Sequence, residues 1–270
     1  MINFPNCKIN LGLNILQKRE DGFHNLQTVF YPLPFNDILE VISSDKQTEF
    51  INTGISGGES ANNLCLKAYR LLKKDYPNLP QIKMHLHKTV PVGAGLAGGS
   101  ADGAFSLMLL NEKFDLKITS KQLLVYASQL GSDCPFFIVN SPCFASGTGE
   151  QLTKINLSLS SYKLLLINPG IHISTKELFN KITPQLPQKS IKEIIQQPMP
   201  TWKQDLKNDF ESVVFSMYPE IENLKKILYE HNAVYASMTG TGSTVFGIFR
   251  EEENIEITKN KKYFCRWLKL

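Results

Sequence analysis

The densest cluster of residues able to do chemistry is Pro91-Val92-Gly93-Ala94-Gly95-Leu96-Ala97-Gly98-Gly99-Ser100-Ala101. Its four glycines free the backbone to turn, so that successive N–H groups can converge on phosphate oxygens. A helix predicted over Ala101–Leu110 adds its positive N-terminal end, and Ser100 stands where it could cap that helix or ligate a nucleotide-bound Mg2+. A tight turn without a ligand is the alternative, but it would carry the entropic cost of these glycines for no purpose. A β-branched residue at Gly98 is therefore expected to block phosphates more than it harms folding.

The segment departs from the two best-known phosphate patterns. Gly93-x-Gly95-x-x-Gly98 has dinucleotide spacing, yet that pattern belongs in a βαβ unit with an acidic residue about 20 positions further on. Here Lys117–Gln122 leads into another helix instead. The run ending Gly98-Gly99-Ser100 approaches a P-loop, but glycine occupies the lysine position, so the cation must come from elsewhere. H-R-D and D-F-G segments are absent, which excludes a protein kinase. Lys8 is one candidate cation, although a lone strand lysine is ordinarily solvated. Asp133, in Leu130-Gly131-Ser132-Asp133-Cys134-Pro135-Phe136-Phe137, is either a cap or a base partly removed from water. His85 and His87 share a strand face without a third ligand at matching spacing, so they read as surface residues beside Lys88 rather than a zinc site. Gly98-Gly99-Ser100-Ala101-Asp102 fails the last position of a hydrolase elbow.

The elements that must position these groups follow from periodicity. Cys7, Ile9, Leu11, Leu13 and Ile15 alternate with Lys8, Asn10, Gly12 and Asn14, which predicts a half-buried strand. Asn25–Leu33 and Ile38–Ser43 also predict strands, with Pro32 and Pro34 bounding the second. Helical spacing runs from about Ser60 to Lys74, and Ile82, Met84 and Leu86 alternate as a strand. Ser120–Leu130 predicts a helix with Ser120 as N-cap and Gly131 just past its end. Tyr162–Ile167, Ala233–Met238 and Thr244–Phe249 predict strands, Gln204–Met217 and Glu220–Glu230 helices, and the proline-rich 183–200 a connector. Without regular βαβ alternation this is an α+β pattern. A boundary falls in the polar stretch Leu152–Ser161, dividing the chain into 1–155 and 156–270.

Composition limits the partners. The chain has 270 residues, 42% hydrophobic and 20% charged, with 29 basic against 25 acidic residues. So small a basic surplus argues against nucleic acid while favouring approach of an anionic small molecule. No apolar run is long enough for a bilayer, and the N-terminus lacks a secretory pattern, so a cytoplasmic location with no membrane partner is expected. The five cysteines form no C-x-x-C pair and are expected to be buried, reduced thiols. The charged C-terminal run, including Lys259, Lys261, Lys262, Arg266 and Lys269, reads as a solvated face.

Three separated segments together resemble the GHMP small-molecule kinases: Asn6-Cys7-Lys8-Ile9-Asn10-Leu11, Pro91–Ala101 and Thr239-Gly240-Thr241-Gly242-Ser243. Arg19–Thr28, Leu130–Phe137 and Ala145–Glu150 narrow the resemblance within that family. It implies two domains, the first like ribosomal protein S5 domain 2 and the second ferredoxin-like. It implies transfer of the γ-phosphoryl of ATP, as Mg-ATP, to the 2-hydroxyl of a cytidine diphosphate-linked methylerythritol on the non-mevalonate route to isoprenoids. The protein would work as a monomer or homodimer. By position, Asp133 would be the general base, Lys8 its hydrogen-bonded partner, and Asn10 a holder of the acceptor. Pro91–Ala101 would bind ATP. Phe23 and Phe179 would stack on the cytosine and His24 would read its edge. Asn63, Thr175, Gly240 and Thr241 would line the site. Ala94, Ala97, Phe23, Ser146 and Lys176 depart from residues common in the family, at glycine, glycine, tyrosine, arginine and proline respectively. These touch fine substrate contacts rather than the reaction class. A silent nucleotide sensor, or another GHMP kinase acting on a sugar, homoserine or mevalonate-type alcohol, is the alternative. The Asp21–His24 segment and Phe179 speak against the latter, since those acceptors carry no base to stack.

Overall fold

A computed structural model describes residues 1–55, 63–252 and 262–270. Strands β1 (Ile2–Asn3), β2 (Asn6–Lys18), β3 (His24–Asn36), β4 (Ile38–Ser44) and β5 (Glu49–Gly54) come first. Helix α1 (Leu64–Asp75), β6 (Gln81–Lys88), α2 (Gly98–Lys113), α3 (Ser120–Leu130) and α4 (Cys134–Val139) follow. Next are β7 (Cys143–Ser146), β8 (Gln151–Lys154), β9 (Tyr162–Asn168), α5 (Thr175–Lys181), α6 (Ile191–Ile194) and α7 (Trp202–Asp205). The chain closes with α8 (Phe210–Met217), α9 (Pro219–Glu230), β10 (Tyr235–Met238), β11 (Val245–Arg250) and β12 (Phe264–Lys269). This is the expected α+β mixture. The predicted beginning of α1 near Ser60 lies outside the described residues.

The chain divides into two compact units: 1–7, 35–92 and 97–141 in the first, and 8–34, 93–96 and 142–270 in the second. These units run differently from a 1–155/156–270 division, because 8–34 and 142–155 group with the C-terminal part. Residues 152–154 are strand, paired with β7, rather than linker.

In the first unit the sheet order is β1-β4-β6-β5, antiparallel except for the β5–β6 pair. Leu39 faces Leu86 and Val41 faces Met84 across β4 and β6, so the period-2 pattern buries one face. Helix α2 packs among α1, α3 and α4 and is buried on nearly every side, which explains its small residues Gly103, Ala104 and Ser106. Helix α3 begins differently from the expectation. Thr119, not Ser120, is its N-cap, because Gln122 completes a reciprocal capping box with Thr119. Gly131 ends it as expected.

In the second unit one sheet has the order β2-β3-β7-β8 and the other β10-β11-β9-β12. Leu13, Ile15, Leu165, Ile167, Leu178, Phe210, Leu224 and Phe249 share one core between these sheets and α5, α8 and α9. Strand β2 corrects the half-buried expectation, since residues 6–15 are buried on both faces, Lys8 and Asn10 included. Strand β3 runs through Pro32 and Pro34. The predicted helix 204–217 is broken at 206–209. There Leu13 N–H donates to Lys207 O (2.9 Å), Asp209 N–H to Leu13 O (2.8 Å) and Ile15 N–H to Asp209 Oδ2 (2.8 Å). Those exchanges give the edge of β2 a partner that a continuous helix would withdraw. From the charged C-terminal run, 264–269 forms β12 on the edge of β9, with Leu268 buried and the Trp267 ring 5.2 Å from that of Phe249. Cys265 lies on that strand and is exposed, contrary to expectation, while Cys7, Cys65, Cys134 and Cys143 are buried; none of the five forms a disulfide.

Candidate active site

Strand β2 delivers Lys8 and Asn10 to the glycine segment within the second unit. Lys8 N–H donates to Leu96 O (3.1 Å), and its Nζ donates to Asn10 Oδ1 (2.5 Å) and toward Gly95 O (3.4 Å). The ammonium also stands 4.9 Å from the centroid of the Phe30 ring, whose negative face favours a cation. Asn10 is held from three sides. Its amide Nδ2 donates to Thr28 Oγ1 (3.0 Å), its Oδ1 accepts from Thr239 Oγ1 (3.2 Å), and its backbone N–H donates to Thr239 Oγ1 (3.0 Å). Asn10 thus orients Lys8 from a buried, bonded position.

The two glycine motifs meet at Gly95. Its φ is +78°, and a Cβ there would fall 2.1 Å from Thr239 O, so only glycine lets the two backbones pass. Thr239 Oγ1 lies 3.2 Å from Gly95 O, and Thr244 N–H donates to Ala94 O at 3.4 Å. Thr239 carried no role beyond motif membership in the sequence. Its importance comes from partners far away in the chain.

The remainder of the glycine segment belongs to the first unit. Pro91 and Val92 lead in, and Gly98, Gly99 and Ser100 form the first turn of α2, earlier than the predicted Ala101. Ala97, the N-cap, takes a left-handed φ of 54°. Gly98 faces inward, where a Cβ would stand 3.1 Å from Val90 Cγ1 and 3.3 Å from Lys88 Nζ, whereas a Cβ on Gly99 would meet nothing within 4 Å. A bulky residue at 98 would consequently strain the fold itself, and Gly99 is the position that opens outward. Ser100 hydrogen-bonds the thiol of Cys134, whose pKa burial pushes up to about 12. Asp133 occupies the N-cap position of α4, half-buried, and its side chain makes no capping bond.

Lys88 corrects the sequence reading most sharply. It is buried with Asp37 and Asp102, not a surface neighbour of the histidines. Hydropathy alone hides such a residue, although its place on the Ile82-Met84-Leu86 face is a signal. His85 Nε2 and His87 Nδ1 each lie 2.9 Å from Thr53 Oγ1, and the described residues contain no group of three metal-ligating side chains.

In the second unit the β2–β3 turn displays Phe23. Arg19 pairs with Asp21 (2.7 Å), Asp21 Oδ1 accepts from Phe23 N–H (3.1 Å), and Arg19 N–H donates to Phe23 O (2.8 Å). The Phe23 N–H bond is the main influence holding the Asp21 carboxyl below its ordinary pKa. Phe23 is 63% exposed, so it is no core residue. His24 is buried, its ring 5.0 Å from that of Phe179 and tilted 31°, and Phe179 also meets the edge of Phe210 at 5.0 Å. Burial first, and Lys18 second, lower the His24 pKa and favour a neutral imidazole. Thr175 and Thr241 pair through their hydroxyls at 3.1 Å, and Gly240 O accepts from Asn208 Nδ2 (2.8 Å). Asn63, in the first unit, caps α1 by accepting from Cys65 N–H (2.8 Å).

Two family models match the chain: the GHMP kinases N terminal domain over residues 63–141 and the GHMP kinases C terminal region over residues 190–261. A Bacteroides fragilis protein named 4-diphosphocytidyl-2-C-methyl-D-erythritol kinase is 49% identical, covering 98% of each chain. A crystal structure of 4-(cytidine 5'-diphospho)-2C-methyl-D-erythritol kinase matches with a TM-score of 0.80 at 27% identity, over 92% of this chain and 90% of that one. The Methanococcus jannaschii mevalonate kinase, at 14% identity and a TM-score of 0.68 over 94% of this chain and 92% of that one, shares the fold.

Proposed function

The chain belongs to the GHMP kinase family, and from that premise we propose that it transfers the γ-phosphoryl of ATP to the 2-hydroxyl of 4-diphosphocytidyl-2-C-methyl-D-erythritol. The observation that carries this reading is the near-full-length likeness to a kinase named for that acceptor, joined to the cation held at the glycine segment by Asn10.

Phosphoryl transfer asks a protein for positioning and charge stabilisation more than for covalent chemistry. Within Pro91–Ala101, the backbone N–H groups between Val92 and Ser100 receive the phosphates, with Gly99 leaving the first turn of α2 open to them. Lys8, aimed by Asn10, offsets charge on the transferring group, while Asp133 accepts the hydroxyl proton. Mg2+ fits as a companion of the nucleotide, since phosphates supply most of its ligands and the half-buried Ser100 hydroxyl is the candidate protein oxygen. When bound, it supplies charge neutralisation between the phosphates. Phe23 and Phe179 stack on the cytosine, a neutral His24 reads its edge, and Thr175, Thr241, Gly240 and Asn63 line the acceptor site.

The test is a turnover assay with ATP and the cytidine substrate, following ADP together with a new phosphomonoester by 31P NMR. Stoichiometric product is expected. Turnover of mevalonate or homoserine without turnover of the cytidine substrate would refute the acceptor, and no turnover of any alcohol would favour a nucleotide sensor.

A further inference from the structure

Three ionisable groups lie buried together in the first unit, and the transfer chemistry uses none of them. Lys88 Nζ donates to Asp37 Oδ2 and, at 2.6 Å, to Asp102 Oδ2; the three side chains are 5%, 0% and 3% exposed. The second oxygen of Asp37 accepts the N–H groups of Thr89 (2.6 Å) and Val90 (2.9 Å), the residues immediately before Pro91. Asp102 stands one turn into α2, the helix that leaves the glycine segment. Lys88 therefore joins the backbone leading into that segment to the helix leading out of it. Its ammonium also lies 3.3 Å from where a Cβ on Gly98 would be.

Such a cluster is a poor stabilising device. Two carboxylates and one ammonium are removed from water, and packed apolar residues of similar volume commonly serve stability as well or better. Asp102 Oδ1 has no hydrogen-bond partner among the described residues. Burial raises the Asp102 pKa, Lys88 pulls it down and Asp37 pushes it up. For Lys88 burial works against the charge, but Asp102 and Asp37 outweigh it and hold the pKa above its ordinary value. The cost is repaid in direction, since charged hydrogen bonds fix geometry in a way apolar contacts do not.

We propose that Lys88, Asp37 and Asp102 form a buried tether of positioning residues that holds the two flanks of the glycine segment at the spacing needed to receive nucleotide phosphates. This rests on the kinase reading above. The tether acts on nucleotide binding and leaves the acceptor site untouched.

The experiment uses the full chain with Asp102→Leu, which cuts the tie to α2 while leaving Lys88 and Asp37 as a neutral pair, and Asp102→Asn, which keeps an acceptor for Lys88. Calorimetry gives the Kd for ATP, steady-state kinetics give both KM values and kcat, and hydrogen exchange reports the amides of 98–101. Asp102→Leu is expected to raise the Kd and KM for ATP at least tenfold and to speed exchange at 98–101. Acceptor KM and saturating kcat should stay within twofold, and Asp102→Asn should restore ATP binding to within threefold. A folded Asp102→Leu protein with wild-type ATP affinity, or equal losses for both substrates, would overturn the tether. If Asp102→Leu does not fold, Asp102→Ala is held to the same thresholds, and unfolding of both overturns the tether in favour of a purely structural cluster. Wild-type protein that binds no ATP would bring down the kinase reading and the tether together, whereas tether failure alone leaves wild-type turnover intact.

Discussion

Replacing Gly99 by alanine should move stability and nucleotide affinity in opposite directions. Gly99 lies in the first turn of α2, is exposed, and a Cβ there meets nothing within 4 Å. Alanine in a helix is favoured over glycine by about 0.5–1 kcal/mol, so the folded protein gains stability. For a chain of this size each kcal/mol shifts Tm by roughly 2–4 °C, which predicts a rise of about 1–4 °C. The same methyl group stands in the open space over the helix N-terminus, where phosphates would approach the backbone. Displacing one charged hydrogen bond costs roughly 1.5–3 kcal/mol, so KM for ATP should rise about ten- to hundredfold. Gly98→Ala is the contrast, because its methyl group would crowd Val90 Cγ1 at 3.1 Å and lower stability instead. Melting curves and kinetics with both substrates varied measure all of this. A Gly99→Ala protein with raised Tm and unchanged ATP affinity would refute the phosphate assignment of α2.

Asp133→Asn should lower kcat by roughly 10²-fold or more with both KM values near wild type, the scale of a lost general base. Lys8→Met should also lower kcat, and a double mutant no worse than the poorer single would show that the two act as a unit. Phe23→Ala should leave Tm unchanged, since the side chain is 63% exposed. Loss of one base stack, roughly 1–3 kcal/mol, should raise KM for the cytidine substrate alone, which substrate-specific kinetics will show. Ala97→Gly should raise Tm, because the left-handed φ of 54° penalises alanine by about 1 kcal/mol; a lower Tm would contradict that. His24 has a lowered pKa, so its contribution to stability is present above the unfolded value of about 6.5 and is lost as pH falls through the lower folded value. Acceptor KM should rise over the same window, and His24→Gln should flatten the KM profile against pH.

Elements whose pattern is local, and turns whose residues are contiguous, were legible in the amino-acid sequence. Ile82, Met84 and Leu86 announce β6 through period-2 alternation, Gly131 announces the end of α3, and the glycines of 93–99 announce a tightly turning backbone, because these signals lie within a few residues of one another. Tertiary structure decided what depends on partners distant along the chain. Alternation in β2 could say which residues share a face, not that both faces are covered, so Lys8 reads as solvated until the structure buries it beside Asn10 and Phe30. The helical pattern of 204–217 yields at 206–209 because the edge of β2 needs hydrogen bonds there. Thr119 displaces Ser120 as a cap through reciprocal bonds with Gln122. Lys88, polar and followed by Thr89, gives no local sign of the two aspartates, 51 and 14 residues away, that make its burial affordable. Gly95 must be glycine because Thr239 passes against it, a contact across 144 residues that only the folded chain creates.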